Sequence, residues 1–276
     1  MAAAFAARIT DNVIRPAHVL LLAALAAGGC ATAPAPVAGA PSTRAGSPDP
    51  TPFSAAASLE GLPTGWKPYR VSRTKKPTDY RLVSLEGMVA LQATADASAS
   101  GVHFDTLADP REYPWLTWKW KVPALNPRAD NTLSHVEDSP ARVIVVFEGG
   151  RDKLPPDEQM NFDLAKALSG NDLPYATLMY IWENNLPEGT IITHHFSTRV
   201  KMIVAGSGKL DLDRWHEERV NLLDDYRRAF GEEPPRVKSV GIMSDSDNTG
   251  AQAVAYFGDL RFHRREGFTA APQASR

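Results

Sequence analysis

The densest run of potential ligand oxygens in the chain is SDSDNTG, Ser244–Gly250. Asp245, Asp247 and Asn248 fall within it, and Asp259 follows in the next apolar run. Carboxylates and an amide oxygen so spaced suit a hard cation, and a structural calcium is the ion such a set would take. The calcium loop of helix–loop–helix proteins is not formed, because its closing Glu position falls on Tyr256. The same residue types also make a plain turn, with Asp and Asn side chains bonded to the local backbone. Both readings stand, the turn being the more economical. No other cofactor is required by the residues present.

Two carboxyl groups facing one glycosidic bond would permit acid–base cleavage, and Asp138 and Glu183 are the catalytic candidates. Asp138 also fits a partly buried ion pair with Arg142, just ahead of the most apolar strand. In YATLMYIW, Tyr180 and Trp182 alternate and so share one strand face. With Glu183 they form the candidate ligand-binding set, since rings in a row can stack on sugar faces. Trp118 and Trp120 share a face as well, but Lys119 and Lys121 occupy the wetter side, so this pair reads as core. His194 and His195, adjacent in an expected strand, would point to opposite faces and make poor partners for one metal. The sequence contains no zinc-protease helix motif and no serine elbow, and GSGK at Gly206–Lys209 lacks the phosphate-loop spacing.

These residues sit on β-branched and aromatic runs of strand length, separated by Gly, Pro, Asn or Asp clusters. The runs are Asp79–Leu85, Met88–Ala95, Trp115–Val122, Ala141–Phe147, Tyr175–Trp182, Val200–Gly206, Val237–Ser244 and Ala253–Phe262. Two helices interrupt them. Met160, Leu164 and Leu168 recur every four residues before Ser169-Gly170, and Leu222, Tyr226 and Phe230 do so before Gly231. Many strands with two short helices in the connections predict a mainly all-β chain folded as a two-sheet, jelly-roll-like β-sandwich.

The amino terminus reads as an address. Arg8 and Arg15 precede the apolar run Val19–Ala27, which is far short of the ~20 residues a membrane-spanning helix needs. Small residues Gly28 and Gly29 follow, then Cys30, the single cysteine of the chain. This pattern predicts a signal peptide over 1–29 with lipidation at Cys30, and hence a membrane partner. Residues 30–58 are rich in Pro and Ala and read as a tether, 59–266 as one sandwich domain and 267–276 as a disordered tail. With 276 residues and a net charge of -2, the chain is not composed as a membrane bundle and has no basic excess for nucleic acid.

The runs WLTWKWKV, HVEDSPARVIVVF, LMYIWEN and the closing SDSDNTG…AYFGDLRF resemble a bacterial family of envelope proteins, the domain-of-unknown-function family numbered 3047. The similarity spans Gly61 to Phe262. It implies an envelope protein and carries no catalytic role with it. More loosely, the final YFGDLRF strand is similar to carbohydrate-binding jelly rolls. Together these features predict a lipid-anchored, non-catalytic sandwich in the bacterial envelope, facing the periplasm or outer membrane, that binds a glycan. A glycan hydrolase or lyase, and an assembly lipoprotein that binds other envelope proteins, are the alternatives.

Overall fold

The computed structural model describes residues 47–169 and 173–265. The expected signal peptide, Cys30, most of the tether and the tail at 267–276 lie outside the described residues. The body begins before the expected boundary at Leu59. Phe53 is fully buried against Trp66, with ring centroids 4.8 Å apart. Asp49 accepts the Phe262 N–H at 2.7 Å, and Thr106 donates to the Pro48 carbonyl at 2.6 Å. An aromatic ring with a hydrophobic slot to fill pins the end of the Pro-rich stretch to the sandwich.

Two sheets face each other. The larger has, in spatial order, β1 (Trp66–Arg70), β4 (Ala99–Ala108), β11 (Val237–Asp245), β6 (Arg142–Phe147), β7 (Ala176–Glu183), β9 (Val200–Ser207) and β8 (Ile191–Thr193). The smaller has β10 (His216–Asn221), β5 (Trp115–Lys121), β12 (Gln252–Phe257), β3 (Met88–Asp96) and β2 (Asp79–Leu85), with β13 (Arg261–His263) also pairing β5. Every pairing is antiparallel except β7 with β9. The result is a two-sheet, jelly-roll-like β-sandwich, mainly β, as expected. Among the described residues, no helix is long and apolar enough to cross a membrane.

The period-two alternation of each strand feeds one core between the sheets. Trp118, Trp120, Leu116, Val143, Val145, Leu178, Tyr180, Trp182, Val240 and Ile242 all belong to it. Trp118 meets Trp120 edge-on at 5.3 Å, and Trp120 meets Trp182 at 5.8 Å. Four strands have no counterpart among the runs read from sequence. β4 mixes small and polar residues with Val102, Phe104 and Leu107, and β10 (HEERVN) carries four charged or imidazole side chains at the sheet edge.

The helices differ in how they follow their periodicity. In α2 (Leu222–Phe230) Leu222 and Tyr226 are buried, the Asn221 side chain caps the amino end, and Gly231 ends the helix at φ 72°. This is the start and stop chemistry its sequence spells out. In α1 (Pro156–Ser169) Met160 and Leu164 of the four-residue stripe face outward, 66% and 49% exposed. Phe162 and Glu158 are the buried side chains instead. Glu158 accepts from Ser197 Oγ at 2.8 Å, Thr198 N at 2.8 Å and Thr198 Oγ1 at 2.5 Å. A carboxylate that satisfies three donors on the β8–β9 turn fixes the helix face more firmly than two apolar side chains do.

Candidate functional site

Alternation places a second set of side chains on the outer face of the larger sheet. Because Val102, Val143, Val145 and Ile242 point into the core, Gly101, His103, Arg142, Ile144, Gly241 and Met243 point outward. Register sets them in two rows. Tyr69, Gly101, Met243, Arg142 and Ile181 form the first, and Lys67, His103, Gly241, Ile144 and Met179 the second.

The first row ends in a polar cluster. Arg142 is 2% exposed and grips Asp245 with two bonds, Nε to Oδ1 at 2.9 Å and Nη2 to Oδ2 at 3.1 Å. Its Nη2 also donates to Asn131 Oδ1 at 3.2 Å, and its Nη1 lies 3.7 Å from Glu137 Oε1. Burial pulls the guanidinium pKa down, but the Asp245 and Glu137 carboxylates outweigh it and hold it above its ordinary value. Asp245 takes a third bond, from Ser139 N–H at 3.0 Å. The partner of Arg142 is thus Asp245, 103 residues away, and not Asp138 as expected.

Two histidines complete this end. They leave β8 into a turn, not along a strand, so the expected opposite-face arrangement does not hold. The rings of His194 and His195 stack with centroids 4.4 Å apart and planes 25° off parallel. Both reach Glu137, His194 Nε2 to Oε1 at 3.5 Å and His195 Nδ1 to Oε2 at 3.0 Å. Phe196 N–H donates to His194 Nδ1 at 3.1 Å, which leaves the neutral ring's proton on Nε2, facing Glu137. Burial pushes the His194 pKa down to about 4, against the opposing pull of Glu137. Glu137 is buried, while His195 is half exposed.

The residues of the acid-rich loop go to different places. Asp245 serves Arg142, and Asp247 is paired with Lys75 at 2.7 Å, its Oδ1 buried without a hydrogen-bond partner. Asn248 donates its side-chain N–H to Ser134 O at 2.8 Å. Asp259 lies with Ser54 and Arg261, bonded to Ser54 N–H at 3.0 Å and 3.6 Å from Arg261 Nη2. Carboxylate oxygens of Asp245 and Asp247 come together with one from Asp138, all within 4.8 Å of one another. Asp138 in turn accepts Asn248 N–H at 3.1 Å and Thr249 N–H at 2.8 Å, so the loop backbone is held by a carboxylate from outside the loop and not by the local Asp and Asn side chains of the expected turn.

The aromatic candidates are interior. Tyr180 is fully buried and donates to Asp225 at 2.9 Å, and Trp182 donates to Gly208 O at 3.3 Å. Neither offers a ring face to solvent. Glu183, also buried, accepts Asn185 N–H at 2.5 Å and Leu186 N–H at 2.6 Å, so it fastens the loop after β7. Both oxygens of Asp138, and Oε2 of Glu183, are thus engaged by backbone amides. Burial pushes a different carboxyl, Glu218, up to about 7 against the bond it accepts from Trp120 Nε1 at 3.0 Å.

Sequence reading missed the opposite end of the outer face. Tyr69 is 37% exposed and meets His103 edge-on, centroids 6.2 Å apart. Beside them Lys67 and Asp105 pair at 2.7 Å. The buried Nδ1 of His103 has no hydrogen-bond partner, and burial lowers the pKa of that ring. A lone Tyr in WKPYR carries no signal by itself. Only register sets it beside His103 on β4.

The sequence profile described as "Protein of unknown function (DUF3047)" matches residues 64–261. No curated protein matches the chain. Among solved structures, a carbohydrate-binding module specific for non-crystalline cellulose aligns with 14% identity and a TM-score of 0.35, covering 78% of this chain and 97% of that one. A mannan-recognising carbohydrate-binding module gives 14% identity, a TM-score of 0.32, and coverage of 78% and 95%. The family 30 module of a cellulosomal cellulase of Clostridium thermocellum gives 11%, 0.32, and coverage of 79% and 95%.

Proposed function

The chain belongs to the protein family of unknown function matched over residues 64–261, and we propose that it is an exported, lipid-anchored sandwich that binds a glycan on the outer face of its larger sheet. The supporting observation is the pairing of Tyr69 and His103. An exposed ring can stack on the apolar face of a sugar, and the His103 ring that meets it edge-on holds its orientation. Gly101 and Gly241, both buried, occupy adjoining outward positions of the two rows. Their absence of Cβ has a local cause. A Cβ at Gly101 would come within 2.6 Å of the Ile242 carbonyl oxygen.

Lys67 and Asp105 add a charged donor and acceptor at the edge of this surface. The address at the amino terminus, with Cys30 after Gly28-Gly29, supports delivery to the envelope, where glycans are abundant. Affinity electrophoresis of the full chain through gels holding cellulose derivatives, mannan or envelope polysaccharide tests the binding. Retardation by at least one glycan is expected, lost in Tyr69→Ala with the melting temperature unchanged. No retardation by any of them, or retardation that Tyr69→Ala leaves intact, would overturn the proposal. Labelled fatty acid should enter the chain in cells and fail to enter Cys30→Ser.

A further inference from the structure

We propose that Glu137, His194 and His195 form a site for a divalent transition-metal ion such as zinc, apart from the glycan surface and from the acid-rich loop. One ligand atom from each lies within 4.8 Å of the other two. Ligand atoms sharing a tetrahedral zinc at its usual bond lengths stand about 3.3 Å apart. Glu137 already stands 3.5 Å from the His194 nitrogen and 3.0 Å from the His195 nitrogen. The set is of mixed type, two imidazoles and a carboxylate, which favours zinc, nickel or cobalt over calcium.

The surroundings fit a cation. Among Glu137, Asp138, Asp245, Asp247, Arg142 and Lys75, carboxylates outnumber cations, and all but Asp247 and Lys75 are buried. Half-exposed His195 leaves a way in from solvent. Glu137 is held from behind by Arg142, and the turn that carries both histidines is held by Glu158 through Ser197 and Thr198. Such second contacts keep ligands aimed.

Loading has a defined cost in protons and geometry. Without metal, His195 Nδ1–H donates to the carboxylate, so its lone pair is on Nε2. On coordination through Nδ1 that proton passes to Nε2. On His194 the proton passes from Nε2 to Nδ1, and the bond from Phe196 N–H is given up. The stacked rings must also fan, so that each lone pair points at the ion. Both imidazoles stay neutral and no proton is released from them.

Isothermal titration of the full chain with zinc chloride, and with calcium chloride in parallel, tests this. One zinc per chain is expected, weakened at least about tenfold in His195→Ala and in His194→Ala. Nitrogen-15 NMR of the side chains supplies a readout independent of folding, because the His194 and His195 tautomers should exchange on loading. Glu137→Gln tests the third ligand, and His195→Ala, at an exposed position, guards against a variant that merely fails to fold. No saturable zinc binding up to millimolar concentration overturns the proposal. So does zinc binding that survives both histidine variants, or calcium bound more tightly than zinc.

Discussion

Replacing Arg142 by Met tests how the polar end of the larger sheet is held. The guanidinium is buried and serves Asp245 twice, Asn131 once and the Glu137 carbonyl at 3.4 Å. Met fills much of the same volume but leaves the Asp245 carboxylate buried, with the single Ser139 N–H as its remaining bond. Breaking one side of a buried pair costs about 3–5 kcal/mol, and that is the loss expected at pH 7.5. The pH dependence is the sharper signature. Burial already pushes the Asp245 carboxyl up against the pull of Arg142, so without Arg142 it rises further. A folded-state pKa above the unfolded value means that the folded chain binds more protons. Relative to the parent, the variant should therefore regain stability as the pH falls from 7.5 toward 5, by up to about 1.4 kcal/mol per pH unit below the raised pKa. The double variant Arg142→Met/Asp245→Leu should stand closer to the parent than Arg142→Met does, because no buried charge is left over. Urea unfolding followed by the fluorescence of the buried Trp118, Trp120 and Trp182 measures all of this. A loss under about 1 kcal/mol, or a loss that does not change between pH 7.5 and 5, would refute the account of Arg142 as the charge that holds Asp245 ionised.

His194, with its pKa pushed down to about 4, takes up a proton later than its unfolded counterpart near 6.5. Its contribution to stability is present above about 6.5 and should fall by about 3 kcal/mol as the pH drops to 4, an effect absent in His194→Asn when the same urea curves are taken across that range. Gly206 lies under the Trp182 ring, and a Cβ there would stand 2.6 Å from Cε3. Gly206→Ala should cost about 1–3 kcal/mol and change the near-ultraviolet circular dichroism of the tryptophans, and a variant that melts with the parent would show that the ring has room to move.

The strands that fill the core were legible because their chemistry is local. The alternating Trp and Lys of β5 state which face holds the rings, and VIVVF in β6 is apolar on both faces, as a central strand is, whatever they pair with. The α2 helix likewise announces itself through Asn221, its apolar spacing and Gly231. β10 and β4 were not legible, since an edge or glycine-bearing strand gains its hydrogen bonds from neighbours and needs little apolar patterning of its own. The α1 stripe misled for a related reason: Glu158 found three donors on another element, and no spacing rule registers a distant donor.

The sequence by itself determined a mainly β sandwich and its tryptophan core, because composition and period-two burial act within a few residues. Tertiary structure alone decided which side chains the proposed surface holds. It turned Tyr180 and Trp182 inward and Tyr69 outward, joined Arg142 to Asp245 rather than Asp138, and drew His194 and His195 together on Glu137 from 58 residues away. Such pairings are set by register and by turns that cross between elements, and the energy that selects them comes from burying a charge only where its partner arrives.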